Sequence, residues 1–308
     1  MDCLVTGGAG FIGSNLVDAL VERGDRVTVI DDLSNGSREN LSGALEQGAV
    51  LHVIDVRDSA AVMDAFRASK PELVFHLAAQ VDVRVSVAHP AEDAAINVLG
   101  TIAVLEAAGA VGARRLVNSS TGGGLYGDAK IHPTPEHHPI QPLAPYGQSK
   151  LAAEGYCELF TRLHGLSTVS LRYGNVYGPR QDVHGEAGVV AIFLGCALDG
   201  RRPIVFGDGR QTRDWVEVGD VVRANLLAAE SEVTGPVNIG AGRETSVLEL
   251  ISALNAVVAG PPLIPEFAPE RLGEVRRSSL DPARASLELG WEAQVDLATG
   301  LRRALAPR

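Results

Sequence analysis

Cysteine is scarce in this chain of 308 residues. Cys3, Cys157 and Cys196 lie far apart, and none belongs to a Cys-x-x-Cys pair. That excludes a disulfide framework and fits a reduced, cytoplasmic protein. Basic residues are in deficit: 27 Lys and Arg stand against 38 Asp and Glu, a net charge of −11. Sequence-independent nucleic-acid binding and attachment to an anionic membrane both rest on positive charge, so neither is expected. Only Lys70, Lys130 and Lys150 are lysine, which we read as codon bias. Long apolar runs are missing as well. Gly188 to Leu198 is the longest stretch, is too short to span a bilayer, and ends at Asp199. The N-terminus has no basic segment and enters a glycine-rich turn, so no secretory signal is expected.

What is present is a regular alternation. Short β-branched runs occur at Cys3 to Val5, Arg26 to Ile30, Val50 to Ile54, Leu73 to Phe75, Arg115 to Val117 and Val169 to Leu171. Runs that lack a polar alternation suit a parallel sheet covered on both faces. Helical patterns separate them at Ile12 to Glu22, Ser59 to Ala68, Ala91 to Ala108 and Tyr146 to Leu163. The predicted fold class is α/β, a Rossmann-like doubly wound parallel sheet. From about residue 175 the segments shorten and Gly, Pro and Arg become denser. Residues 1–174 are read as the sheet domain, with some later segments interleaved, and 175–308 mainly as a smaller mixed α/β domain.

Val5 to Gly13 reads V-T-G-G-A-G-F-I-G, between the first strand and the first helix. Gly7, Gly10 and Gly13 fit G-x-x-G-x-x-G, and Gly8, Gly10 and Gly13 fit G-x-G-x-x-G. Glycine permits the tight turn and lets the backbone approach a pyrophosphate, while the helix N-terminus offers free N–H groups to it. Asp31 ends the second strand, where an acid accepts ribose hydroxyls and repels a 2′-phosphate, and Asp32 adds to that repulsion. The cofactor implied is NAD rather than NADP.

Tyr146 and Lys150 form Y-x-x-x-K after Pro145, and i,i+4 spacing puts both on one helical face. A neighbouring ammonium and the positive charge of an oxidised nicotinamide stabilise a phenolate, so Tyr146 could take a proton from a substrate hydroxyl. Upstream, Asn118-Ser119-Ser120-Thr121 ends the fifth strand and offers hydroxyls to share that bond. The catalytic hydroxyl is Thr121 or Ser120, with Thr121 preferred.

Together these residues resemble the extended short-chain dehydrogenase/reductases, in particular the NAD-dependent nucleotide-sugar epimerases that act on UDP-sugars. The resemblance runs through Leu77-Ala78-Ala79-Gln80, Asn97, Tyr146 and Lys150, Leu171 to Arg180, Phe206 to Gly209, Thr212 to Trp215, Asn238 to Gly240 and Arg271 to Glu274. It implies that Phe11 and Ile12 with the glycines, Leu77, Ala78, Ala79, Asn97 and Ser119 line the cofactor. Asp55 and Val56 would flank the adenine, and Tyr173 would lie by the nicotinamide. Asn175, Gly188, Val189, Val205, Phe206, Arg213 and Arg271 would hold the UDP part of the substrate. A guanidinium is also the natural partner of a diphosphate. The implied reaction removes the proton of the sugar 4-OH through Tyr146, passes hydride from C4 to NAD, lets the keto sugar turn, and returns hydride to its other face. A homodimer built on the helices around 91–108 and 146–163 is implied as well.

Related dehydratases and decarboxylases carry an extra acid or base after the catalytic hydroxyl. Here Thr121 is followed by Gly122-Gly123-Gly124-Leu125, which favours simple C4 epimerisation. Asp182, with Glu186 nearby, is unfavourable for an anionic sugar, so UDP-glucose stands ahead of UDP-glucuronate. Ser278 stands where the family often has a bulky gate, which admits a UDP-N-acetylhexosamine as a third substrate. A non-catalytic NAD-binding sensor is the alternative from another class. No metal is expected. His132, His137 and His138 lack ligand spacing and read as solvated loop residues. His76 reads as a core histidine, and Cys157 and Cys196 as small core residues.

Overall fold

A computed structural model describes residues 1–181, 188–270 and 275–305. Six strands fall where the apolar runs lie: β1 Asp2–Thr6, β2 Arg26–Asp31, β3 Val50–Val53, β4 Leu73–His76, β5 Arg115–Thr121 and β6 Ser167–Tyr173. A seventh, Gly235–Ile239, joins them. The order across the sheet is Gly235–Ile239, β6, β5, β4, β1, β2, β3, and every pairing is parallel. The order reverses between β1 and β4, which opens a crevice at their carboxyl ends.

Helices cover both faces. On one side Leu16, Val17 and Leu20 of α1 (Phe11–Glu22) pack with Val221, Ala224 and Ala228 of Val218–Glu230. On the other, Val62 and Phe66 pack with Val104, Ala108 and Cys157. Each large apolar side chain buried this way contributes roughly 1.5–3 kcal/mol before entropy is counted. β3 lies at the sheet edge, so Val50 and Val53 are exposed rather than covered on both faces.

Helix starts and stops follow local chemistry. Asp58 caps Ser59–Ser69 by accepting from Ala61 N, and Pro145 opens Pro145–His164 where no N–H is needed. Pro90–Val111 is one continuous helix with a π turn at Ala95–Leu99. Among the described residues it is the helix long and apolar enough to cross a membrane, and it packs Val104, Leu105, Ala107 and Ala108 fully into the sheet core.

After residue 175 the chain divides its residues between two places. Val218–Glu230 and Gly235–Ile239 return to the sheet. The rest builds a second core from Tyr177, Phe193, Leu250, Leu254 and Leu301. Small strand pairs frame it: Asn175–Tyr177 with Trp215–Glu217, Ile204–Phe206 with Glu266–Ala268, and Thr212–Arg213 with Thr245–Ser246.

Candidate active site

The glycine turn between β1 and α1 sits at the crevice. Gly7 has φ +68°, and a Cβ there would lie 2.5 Å from the Ala78 nitrogen. A Cβ at Gly13 would lie 2.1 Å from the Gly7 carbonyl oxygen. Both positions therefore require glycine. Gly10 is the N-cap of α1 and supplies no side chain, so the helix start keeps its N–H groups and partial positive charge for an anion. Phe11 and Ile12, in its first turn, are half-buried.

Three further predicted segments converge on this turn. Asp31 is buried at the end of β2 and accepts from Ala9 N and Leu33 N, each at 2.9 Å. Burial pushes its pKa up, and the two N–H donors oppose that rise. Asp32 is exposed and holds Ser34. Leu77 to Ala79 run beside the turn: Leu77 N donates to Thr6 O, and Ala78 N to Thr6 Oγ1. At the edge, Asp55 is bound by Arg57, which lowers its pKa, and Val56 packs beneath Gly100. A glycine cradle, a helix start and a carboxylate at the second strand end fit the pyrophosphate and adenosine ribose of NAD.

Two predicted cofactor residues have side chains hydrogen-bonded within the protein. Asn97 clamps the Gln80 main chain, accepting from its N–H and donating to its carbonyl, both at 2.9 Å. It shapes the strip 77–80 from behind. The Tyr173 hydroxyl is bonded to Asn225 on Val218–Glu230, and burial pushes its pKa up.

At the end of β5 the two candidate hydroxyls point apart, as neighbours on a strand must. Ser120 Oγ donates to Glu154, which is itself held by Arg172 at 2.6 Å in a buried ion pair. Thr121 accepts from Gly124 N at 3.1 Å, capping the short helix Gly122–Leu125, and stands beside the Tyr146 ring: a Cβ on Gly124 would lie 3.3 Å from Thr121 Oγ1 and 3.4 Å from Tyr146 Cε1. Ser120 is thus held by Glu154, while Thr121 is the hydroxyl that acts on Tyr146. Lys150 is buried and donates through Nζ to the Ser119 carbonyl at 3.1 Å. Burial pushes Tyr146 up to about 12, and Thr121 pulls it back. Burial also brings Lys150 down to about 8, with Asp93 foremost among the groups opposing it.

Beside this pair, a cleft of about 460 Å³ is lined by Asn175, Val189, Val205, Phe206 and Arg213. Gly188 caps the helix Val189–Asp199 at its rim. Arg213 donates to Thr212 O and Val275 O from within it. Arg271, Asp182 and Glu186 lie outside the described residues. Cys196, predicted as a core residue, is buried and also lines the cleft. A Cβ on Gly123 would lie 3.8 Å from Ser278 Oγ and 3.9 Å from Asn175 Oδ1, so these three share one space.

Outside the site, His76 is buried and bonded to Thr6 at 2.7 Å and Thr101 at 2.9 Å. His138 holds Lys130 N and stacks edge-on against Tyr126. Among the described residues no three His, Cys, Asp or Glu side chains cluster as metal ligands do.

Sequence reasoning missed Asp93, Glu154, Gln211 and Trp215. Asp93 is wholly buried and accepts from Ser149, between Tyr146 and Lys150. Its signal was the spacing Asp93, Asn97, Thr101, a polar stripe on one face of an apolar helix. Gln211 and Trp215 line the cleft, and Gln211 Oε1 and Trp215 Nε1 are buried there with no protein partner among the described residues. Such atoms suit a polar ligand.

Known proteins are similar to this chain along nearly its whole length. A UDP-glucose 4-epimerase of Mycolicibacterium smegmatis is 47% identical, over 99% of this chain and 97% of that protein. The crystal structure of a Thermotoga maritima UDP-glucose 4-epimerase with UDP-glucose matches with a TM-score of 0.94 and 46% identity, over 99% of this chain and 97% of that one. That of a Thermus thermophilus UDP-glucose 4-epimerase with NAD matches with a TM-score of 0.91 and 42% identity, over 99% and 97% of the two chains. Residues 3–240, which carry the glycine cradle, the strand-end hydroxyls and the Tyr–Lys pair, match the NAD dependent epimerase/dehydratase family, and the chain belongs to it.

Proposed function

We infer that this chain is an NAD-dependent UDP-sugar 4-epimerase, with UDP-glucose and UDP-galactose as its substrate pair. The observation that carries the reading is the placement of Thr121, Tyr146 and Lys150 at one strand end, with the glycine cradle on one side and the Arg213 cleft on the other. Full-length similarity to UDP-glucose 4-epimerases supports the substrate.

Gly7, Gly10, Gly13 and the start of α1 would hold the NAD pyrophosphate, and Asp31 the adenosine ribose. When bound, NAD supplies the hydride acceptor and a positive charge near the catalytic tyrosine. The chain's own residues handle the proton. Tyr146 removes it from the sugar 4-OH, Thr121 donates a hydrogen bond that steadies the phenolate, and the Lys150 ammonium balances its charge. Arg213 and Asn175, with the unpartnered groups of Gln211 and Trp215, hold the nucleotide end, so that the sugar alone turns. Gly123 and Ser278, beside Asn175, put no bulky side chain at this end of the site. The segment Gly122–Leu125 offers no acid or base, which supports epimerisation over elimination or decarboxylation.

A homodimer and a cytoplasmic location belong to the same proposal. Leu99, Leu159 and Leu163 are exposed on Pro90–Val111 and Pro145–His164, and a second copy would cover them in a four-helix bundle. The three buried cysteines are free, as a reducing compartment allows.

The test is product analysis by NMR with NAD and UDP-glucose, UDP-glucuronate or UDP-N-acetylglucosamine, each alone. A C4 epimer from UDP-glucose is expected. Turnover of UDP-glucuronate alone would move the substrate to that sugar. No product from any of them, with NAD bound, would point to a different nucleotide sugar first and to the sensor reading second.

A further inference from the structure

Asp93 takes three hydrogen bonds from neutral donors: Ser149 Oγ at 2.5 Å on one oxygen, and Gln80 Nε2 at 2.8 Å and Asn97 Nδ2 at 3.1 Å on the other. The donors belong to different parts of the site. Ser149 sits between Tyr146 and Lys150. Gln80 ends the strip that runs along the glycine cradle. Asn97 stands in the π turn, a helix distortion that concentrates at functional sites.

Hydrogen bonding alone does not account for a carboxylate here. Burying a charge is costly. The amide of an asparagine would accept from Gln80 and Asn97 and donate to the Ser149 hydroxyl. What the carboxylate adds is its field. The titratable groups facing Lys150 are Asp93, His76 on β4, and Tyr146, Glu154 and Cys157 on its own helix. Burial keeps His76 neutral by lowering it to about 3, and keeps Cys157 neutral by raising it to about 12. Glu154 is matched by Arg172 of β6. Among the described residues Asp93 is the carboxylate of this set without a cation at ion-pair distance.

We propose that Asp93 is a positioning residue of the catalytic pair: through Ser149 it fixes the Tyr146–Lys150 turn against the cofactor strip, and its negative charge sustains the Lys150 ammonium. This rests on the epimerase reading. The direction of its influence is the same at both partners, since Asp93 raises the pKa of Lys150 and of Tyr146. Removing the charge therefore moves both titrations to lower pH.

The experiment compares wild type, Asp93→Asn and Ser149→Ala as NAD-loaded protein. In Asp93→Asn both limbs of the kcat profile are expected to move down by about one pH unit. The tyrosinate absorbance titration, taken as the difference from a matching protein that also carries Tyr146→Phe, is expected to move the same way. Ser149→Ala keeps the charge, so its profile stays in place while kcat falls about tenfold through lost positioning. The proposal is overturned if Asp93→Asn titrates like wild type by both measures. It is equally overturned if Ser149→Ala shifts the profile as far, or if Asp93→Asn loses its near-UV circular dichroism, which would make Asp93 a folding residue only. Failure of the epimerase reading is seen separately, as wild type without turnover. The tyrosinate titration needs no substrate and still judges Asp93.

Discussion

The Thr121 hydroxyl stands beside the Tyr146 ring, and it pulls that phenol's pKa down against the burial that holds it at about 12. The protein alone thus keeps Tyr146 protonated at neutral pH. The proposed use of Tyr146 as a base depends on positive charge close by, which Lys150, one helical turn further on, would provide.

Tyr146→Phe is expected to lower kcat by about 10²–10⁴-fold, with NAD binding unchanged. Thr121→Ala is subtler. Losing a group that lowers the Tyr146 pKa moves the acid limb of activity to higher pH, and kcat at neutral pH falls about tenfold. Thr121→Ser retains the hydroxyl beside Tyr146 and the cap on Gly124, so it is expected to behave as wild type. Profiles of kcat and kcat/KM against pH for the three variants check this.

Arg213 makes a different kind of contribution. It lines the cleft and is anchored by Thr212 O and Val275 O, which orient its fork. A diphosphate held there is held throughout the reaction, so its loss removes ground-state and transition-state binding alike. Arg213→Ala is expected to raise KM by about 10–100-fold, the worth of a charge-assisted hydrogen bond, and to leave kcat within about threefold. Arg213→Lys recovers only part of the loss, because an ammonium lacks the fork. Steady-state kinetics with UDP-glucose measures both.

Much of this architecture was legible in the chain because its signals are local. Six strands stood out as short β-branched runs, and the glycine cradle and the Tyr146–Lys150 pair are each defined within a few residues. The seventh strand was hidden: Gly235-Pro236-Val237-Asn238-Ile239 opens with a turn-like pair, tolerated because this strand is an edge. Val50 and Val53 misled in the opposite sense, since β3 is the other edge. Asp93 and Ser149 are 56 residues apart, and only the packing of two helices brings them together. Ser120 and Thr121 were ambiguous for a related reason. Strand alternation separates them, but which face meets Tyr146 depends on the fold.

His76 offers a test of the core by pH. Clamped between Thr6 and Thr101, it has its pKa lowered by burial from 6.5 to about 3. As pH falls, the unfolded chain takes up this proton first. Above about 6.5 the residue has no effect on the pH dependence of stability, and between there and about 3 it makes folding progressively less favourable. The cumulative loss is on the order of several kcal/mol. His76→Gln does not titrate, so its urea midpoint, though lower at neutral pH, is expected to decline less steeply than that of wild type over this range. Parallel urea titrations across the range would show two parallel curves if His76 titrates normally in the folded protein.

On the proposed reading, cofactor choice turns on Asp31. Its carboxylate spends one lone pair on Ala9 N and one on Leu33 N, which fixes the loop after β2 beside the glycine turn. Each oxygen keeps a further acceptor site for a ribose hydroxyl. A 2′-phosphate would meet this charge in a buried setting, with Asp32 next to it, and be repelled. Asp31→Ala removes both effects at once. NAD is expected to bind at least about tenfold more weakly, as a lost charge-assisted bond implies. NADP, freed from the repulsion, is expected to lose less or to gain, so the preference between the two narrows by more than tenfold. Calorimetric titration of wild type and variant with both dinucleotides decides it. An unchanged NAD-to-NADP ratio would mean that discrimination lies in residues other than this carboxylate.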